Sequence, residues 1–395
     1  MNNSSEQLIG KNPRIEAVDA LRGFAVMAIV LVHNLEHFIF PVYPADSPGW
    51  LNTLDQGVFN VVFTLFAGKA YAIFALLFGF TFYIQSHNLK RRGGDFGCRF
   101  LWRLVLLAGF ATLNAAFFPA GDVLLLFVIA GLVLFFTRNW SDGAILVAAV
   151  VFLLQPVEWY HCIAALLDPA HRLPDLGVGE LYARVAEYTK AGNFGDFILG
   201  NVTLGQKASL LWAVNAGRFV QTAGLFLLGF YIGRKQLFAA TEKNLRFWVK
   251  TLIVSAIAFA PLYTLRELVM DNGAVVGQTA GTALDMWQKL AFTLVLVASF
   301  ILLYQRRKFS AAVAGLRFYG RMSLTNYLSQ SVIGAFVYFP IGLYLAPRCG
   351  YTASLLVGIL VFLLQVRFCK WWLGRHKQGP LEYIWHKWTW IGTDK

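Results

Sequence analysis

Long apolar runs alternate with short polar segments along the whole chain, and the runs set its architecture. Stretches long enough to span about 30 Å of hydrocarbon fall at roughly 20–40, 58–85, 99–118, 122–137, 143–163, 208–232, 247–265, 284–304, 322–345 and 351–373. They predict an all-α polytopic membrane protein with about ten transmembrane helices. The run at 122–137 is short and requires a nearly upright helix. The run at 58–85 is long and carries Gly68-Lys69, which predicts a tilt or a break there; broken helices occur at depth where backbone lines a cavity. The outer loop 164–207 begins with Pro169 and Pro174. Leu181, Val185 and Tyr188 then recur at helical spacing, which predicts one or two amphipathic helices on the outer surface. A single transmembrane domain over 19–373 thus lies between tails at 1–18 and 374–395. No repeat of 20–50 residues is evident along it.

Composition agrees with this pattern. Hydrophobic residues make up 57% and charged residues 14% of the 395, and mean hydropathy is +0.57. Soluble domains carry about 25% charged residues. A net charge of +13 would point to nucleic acid in a soluble protein, but here the basic residues cluster at helix ends. With the N-terminus inside, the inner segments hold twenty Lys and Arg, among them Lys90, Arg91, Arg92, Arg306, Arg307 and Lys308. The outer segments hold six, four of them in the long loop. Both termini are therefore expected to be cytoplasmic, and no nucleic-acid surface is expected. Cys98, Cys162, Cys349 and Cys369 lack metal-ligand spacing, so no metal is expected. Cys162 and Cys349 fall on the outer side, where a disulfide can form.

Candidate chemistry concentrates on Asp19–Pro41. Arg22 and His33 lie three turns apart on one face, about 16 Å along the axis. His33, Glu36 and His37 share a face at its outer end, and a His with a carboxylate one turn on suits general-base work. The rival reading is that Glu36 and His37 only mark the water boundary. Lys69 lies inside an apolar run and requires a partner, with Glu36, Asp55 and Asp122 as candidates. Asp122 is also a fair helix N-cap, and Arg218 sits at comparable depth. Together these residues predict an outward-open polar cavity for an anionic or polar ligand, with structural salt bridges as the rival. On the inner side, Arg99 and Arg103 suit a phosphate-bearing donor or lipid headgroups, near Asp19, Arg22 and Arg321.

Several segments carry a family resemblance. RIEAVDALRGFAVMAIVLVHN, FAGKAYAIFALLFGFTF, GDVLLLFVIAGLVL, LFLLGFYIGR, GRMSLTNYLSQS and GPLEYIWHKWTW resemble the YeiB-like family, whose C-terminal half (208–395 here) is domain of unknown function 418. That resemblance implies a multi-pass protein of the bacterial inner membrane. More distantly, the Arg22…His33 spacing and GRMSLTNYLSQS are similar to signatures of membrane acyltransferase-3 proteins and of the heparan-alpha-glucosaminide N-acetyltransferase type. This wider resemblance implies His33 as the acyl-transfer residue, with Arg22 and Arg103 near a cytoplasmic thioester donor such as acyl-CoA. Departures are Gln330 where those enzymes usually have His, Leu324 for Tyr, and Arg99-x3-Arg103 in place of an x2 spacing.

The expected function is transfer of an acyl group from a cytoplasmic thioester to an extracytoplasmic carbohydrate or envelope acceptor. Catalysis falls to His33 with Glu36 and His37, acceptor binding to Lys69, Asp122, Arg218 and Gln330, and donor binding to Arg22, Arg99 and Arg103. No firmly bound cofactor is expected. Partners are membrane lipids, a small-molecule or glycan acceptor, and further copies of the chain in a homo-oligomer. The alternative is a transporter or exporter of a small polar or anionic metabolite, against which no paired Gly- or Pro-broken helices appear in matching halves. A non-catalytic envelope scaffold is a third reading.

Overall fold

The computed structural model describes residues 16–39, 43–44, 47–270 and 274–391. The tail up to residue 15 lies outside the described residues. Among those described, every regular element is helical. In order these are α1 (Glu16–Leu35), α2 (Gly49–Phe66), α3 (Lys69–Lys90), α4 (Gly97–Phe117), α5 (Leu124–Thr137), α6 (Asp142–Leu153) and α7 (Pro156–Leu167). Next come α8 (Val178–Ala191), α9 (Phe194–Gly200), a π-turn at Asn201–Gly205, α10 (Gln206–Asn215), α11 (Arg218–Arg234), α12 (Glu242–Met270) and α13 (Val275–Tyr304). The chain ends with α14 (Arg307–Ala312), α15 (Ala314–Arg321), α16 (Ser323–Tyr338), α17 (Tyr351–Leu373) and α18 (Pro380–Thr389).

By length and composition, six of these are candidate membrane spans: α1, the α2–α3 tandem, α4, α12, α13 and α17. The pair α6 and α7, bent by 47°, adds a seventh if it makes one crossing. The other runs give shorter helices: α5 has 14 residues, α11 has 17 and α16 has 16. The pattern of burial also fits a bilayer. Along α17 the buried positions are Ser354, Gly358, Gln365 and Cys369, while Leu356, Leu360, Leu363 and Leu364 face outward. On α12 the buried residues are Asn244, Trp248 and Ser255. Small and polar groups inside with aliphatic groups outside suit helices that pack in lipid, not in water.

The expected break in the second run is present. Gly68 takes φ +75° between α2 and α3, a left-handed conformation that costs glycine nothing. A second break was not read from the sequence: Gly217, φ +63°, separates α10 from α11. The two broken helices are counterparts. AGKAYAIFALLFGF (67–80) resembles AGRFVQTAGLFLLGF (216–230), which is one residue longer, and each places a basic residue straight after the first glycine. Helices α3 and α11 run parallel, with Tyr71 bonded to Thr222 near their N-terminal ends and Gly233 seated on Tyr83 near their C-terminal ends. Between these points a Cβ on Gly79 would lie 1.9 Å from the Phe226 carbonyl, and one on Gly229 would lie 1.9 Å from the Leu76 carbonyl. These are one contact with the roles exchanged, as a two-fold axis along the pair requires. The expectation of no paired broken helices is thereby corrected.

The outer loop contains the expected amphipathic helix, α8, with Leu181 and Val185 buried against Ala120 and Ala208. The Cys162–Cys349 bond is not made, and all four cysteines are free thiols. At the other end the tail folds back as α18 against α4 and α16.

Candidate functional site: two chambers on either side of a thin wall

Helix α1 is the most enclosed of the candidate spans, and it carries His33 to the wall of a chamber of about 560 Å³, called outer here after the topology expected from the sequence. His33 is 8% exposed. Its ring lies 4.5 Å from Phe118 and 5.4 Å from His37 between centroids, and among the described residues its Nδ1 has no hydrogen-bond partner. His37 Nδ1 stands 3.4 Å from Glu36 Oε2. Glu36 also lines this chamber, where its carboxylate feels the charges of Arg218 and Lys289. The chamber is completed by the Gly68 break, by Asp122 and Val123, and by Tyr182 and Trp212. Tyr182 belongs to α8, so the amphipathic outer helix forms part of the chamber lining.

Asp122 lines this chamber but does not pair with Lys69. Its carboxylate accepts from Asn114 Nδ2 (2.9 Å) and from the backbone N–H of Leu124 and Leu125 (3.2 and 3.4 Å). It is thus the cap of α5, tied through Asn114 to Ser331 on α16. Asp55 is likewise engaged elsewhere, accepting from the Thr352 N–H and from Tyr43. Lys69, 5% exposed, lies behind the chamber lining, with its Nζ 5.6 Å from the Phe292 ring. The acid nearest in influence is Asp285 on α13, which was not among the expected partners. Asp285 pairs with Lys289 and stands 3.4 Å from Arg266. Arg218, 8% exposed, does line the chamber, and its guanidinium lies 4.9 Å from the Tyr71 ring and 5.8 Å from that of Trp212.

An inner chamber of about 300 Å³ lies below. Arg22 and Arg103 line it as expected, and Arg321 joins them. Arg22 donates to Thr81 Oγ1 (3.0 Å) and pairs with Asp19 (3.2 Å). Four residues of the C-terminal segment, Gln378, Glu382, Trp385 and His386, also line it and were not anticipated. The Arg103 guanidinium sits 4.1 Å from the Trp385 ring. Glu382 accepts from the N–H groups of Leu324 and Thr325 (2.8 and 3.0 Å), which caps α16. Burial pushes the Glu382 carboxyl above its usual range against these bonds; burial and Arg103 hold the His386 imidazole below its own. Arg99 is outside this chamber and donates to the carbonyls of Thr389 and Ile391 (3.1 Å each), holding down the end of α18. Gln330 lines neither chamber. It donates to Tyr319 Oη (2.8 Å), whose hydroxyl donates to Gln365 (2.8 Å), within the packing of α15, α16 and α17.

The partition between the chambers is about one side chain thick. At the start of α5, Val123 and Leu126 face the outer chamber while Leu124 and Phe127 face the inner one. Tyr327 of α16 lines the inner chamber, and its ring lies 5.9 Å from that of His33. Tyr71, on the outer side, lies 5.5 Å from Phe127. Residues 232–392, which include Tyr327 and Glu382, match a family described as a protein of unknown function (DUF418). The chain is 25% identical to the uncharacterized protein YeiB of Escherichia coli (strain K12), across 94% of this chain and 95% of that one. The DUF418 match is thus confined to the C-terminal part, while the similarity to YeiB runs along nearly the whole chain. It is also 24% identical to the uncharacterized protein YxaH of Bacillus subtilis (strain 168), across 98% of this chain and 97% of that one. No solved structure matches it. The DUF418 segment begins at the inner end of α11, so it contributes Arg321, Tyr327 and the α18 residues to the inner chamber. His33 and Arg218 lie before it.

Proposed function

We propose that this DUF418 protein is an acyltransferase of the bacterial inner membrane, with ten crossings and both termini in the cytoplasm. The observation that carries this reading is the thin partition: His33 and Tyr327 are ring neighbours, one lining each chamber. Arg22, Arg103 and Arg321 suit the phosphates of a soluble acyl thioester on the inner side, and the outer chamber takes the acceptor. His33 removes the proton from the acceptor hydroxyl as its oxygen attacks the thioester carbonyl. The new C–O bond forms, the C–S bond breaks, and the thiolate leaves on the inner side. Glu36 steadies His37 beside the base. The test is transfer of a radiolabelled acyl group from a thioester to carbohydrate by the protein in liposomes. Loss of transfer in His33→Ala, with folding preserved, is expected; undiminished transfer overturns the mechanism.

The paired breaks at Gly68 and Gly217 favour a second reading, transport of an anionic solute, because broken helices that meet at a site are a transporter device. Counterflow of solute in proteoliposomes without a covalent product would select it over acyl transfer.

A further inference from the structure

Arg218 and Lys69 are the first residues of α11 and α3. This is the reverse of the usual arrangement, since helix N-termini are positive and favour acidic side chains. The two starts also adjoin, because a Cβ on Gly68 would lie 3.2 Å from a terminal nitrogen of Arg218. Two parallel helices thus place their positive ends together, with Lys69, Arg218 and Lys289 around them. Neither start is capped by a side chain, because both N-cap residues are glycines. Asp122 removes this polarity from another helix start on the chamber, that of α5, by accepting its N–H groups.

Among the described residues no acid forms an ion pair with Arg218, and Glu36, on the same chamber wall, feels its charge without contacting it. Asp285 is taken by Lys289 and Arg266, and Glu36 lies beside His37. Glu158 stands behind the start of α11, 3.4 Å from where a Cβ on Gly217 would lie, and does not line the chamber. Among the described residues Arg218 has no ion-pair partner, and its Nε is buried without a hydrogen bond. A buried, unpaired guanidinium is costly. It is flanked here by Tyr71 and Trp212 in a chamber whose other walls include Ile29, Val32, Phe63 and Leu126.

We propose that the joined starts of α3 and α11, with Arg218 at their centre, bind the anionic head of an amphipathic molecule, a carboxylate or a phosphate ester, whose apolar body lies along the rest of the outer chamber. This rests on reading the outer chamber as the acceptor site and names the acceptor class. An Arg fork and free backbone N–H groups both suit planar or tetrahedral oxyanions.

The test is binding, so it does not depend on turnover. The full-length protein in a neutral detergent is titrated with octanoate, octyl phosphate and octanol by calorimetry. At least one anion is expected to bind ten times more tightly than octanol, and Arg218→Gln is expected to abolish that preference. The anion that binds distinguishes a carboxylate from a phosphate source. Equal binding of all three probes by the wild type, or an unchanged preference in Arg218→Gln, overturns the proposal. Should Arg218→Gln not fold, Arg218→Lys keeps the charge but loses the fork: several-fold weaker anion binding supports the site, and unchanged affinity overturns it. Anion binding without any acyl transfer would sink the proposed reaction and leave this site standing.

Discussion

Asp122 shows how one side chain can look like a ligand and act as a joint. Its position at the head of an apolar run suggested both a cap and a partner for Lys69, and it is the cap. Asp122→Ala should cost about 0.5–2 kcal/mol, read as a lower unfolding midpoint in detergent. Asp122→Asn, which keeps an acceptor for the Leu124 N–H, should lose far less. His33 and Arg218 were legible in the sequence because a titratable or charged group inside an apolar run needs a reason. Gln330 misled because matching a motif position does not fix which way a helix face turns, and here it turns towards Tyr319. Asp285 was missed because it sits inside the run 284–304, paired one turn on with Lys289, where it raised no imbalance to notice.

At the level of elements, the break at Gly68 was legible and the one at Gly217 was not. The first run is too long for one crossing, whereas the second glycine lies in a run of ordinary length that hides it. The intimacy of α3 and α11 follows from Gly79 and Gly229, each pressed on a carbonyl of the other helix. Gly229→Val should therefore force the pair apart and cost at least about 1–3 kcal/mol, measured as lost thermal stability or folded yield. Helix α18 falls in the expected cytoplasmic tail, where its mixed Trp, His and Lys residues give no apolar run to mark a packed helix. Its Glu382 makes a pH prediction. A carboxyl raised in the folded protein gives stability that is full below the unfolded pKa of about 4.3 and is lost as pH rises through the folded value. The wild-type midpoint should thus fall with rising pH over that window, and Glu382→Gln, permanently neutral and still an acceptor, should flatten the curve.

On the scale of the whole molecule, the chain has chambers above and below a partition built from α1, α5, α3 and α16. Neither the partition nor the pseudo-two-fold axis beside it is visible in apolar runs, because both depend on which helices become neighbours. The partition also has an energetic duty. A membrane can store work as an ion gradient, and in a protein that crosses one, two facing cavities reduce the insulation to Phe127, Tyr327 and Leu124. Apolar constrictions of this kind stay dry and so stop ions. Widening this one by Phe127→Ala should let protons through: liposomes holding the variant would discharge an imposed pH gradient, followed with an internal pH-sensitive dye, faster than those holding the wild type.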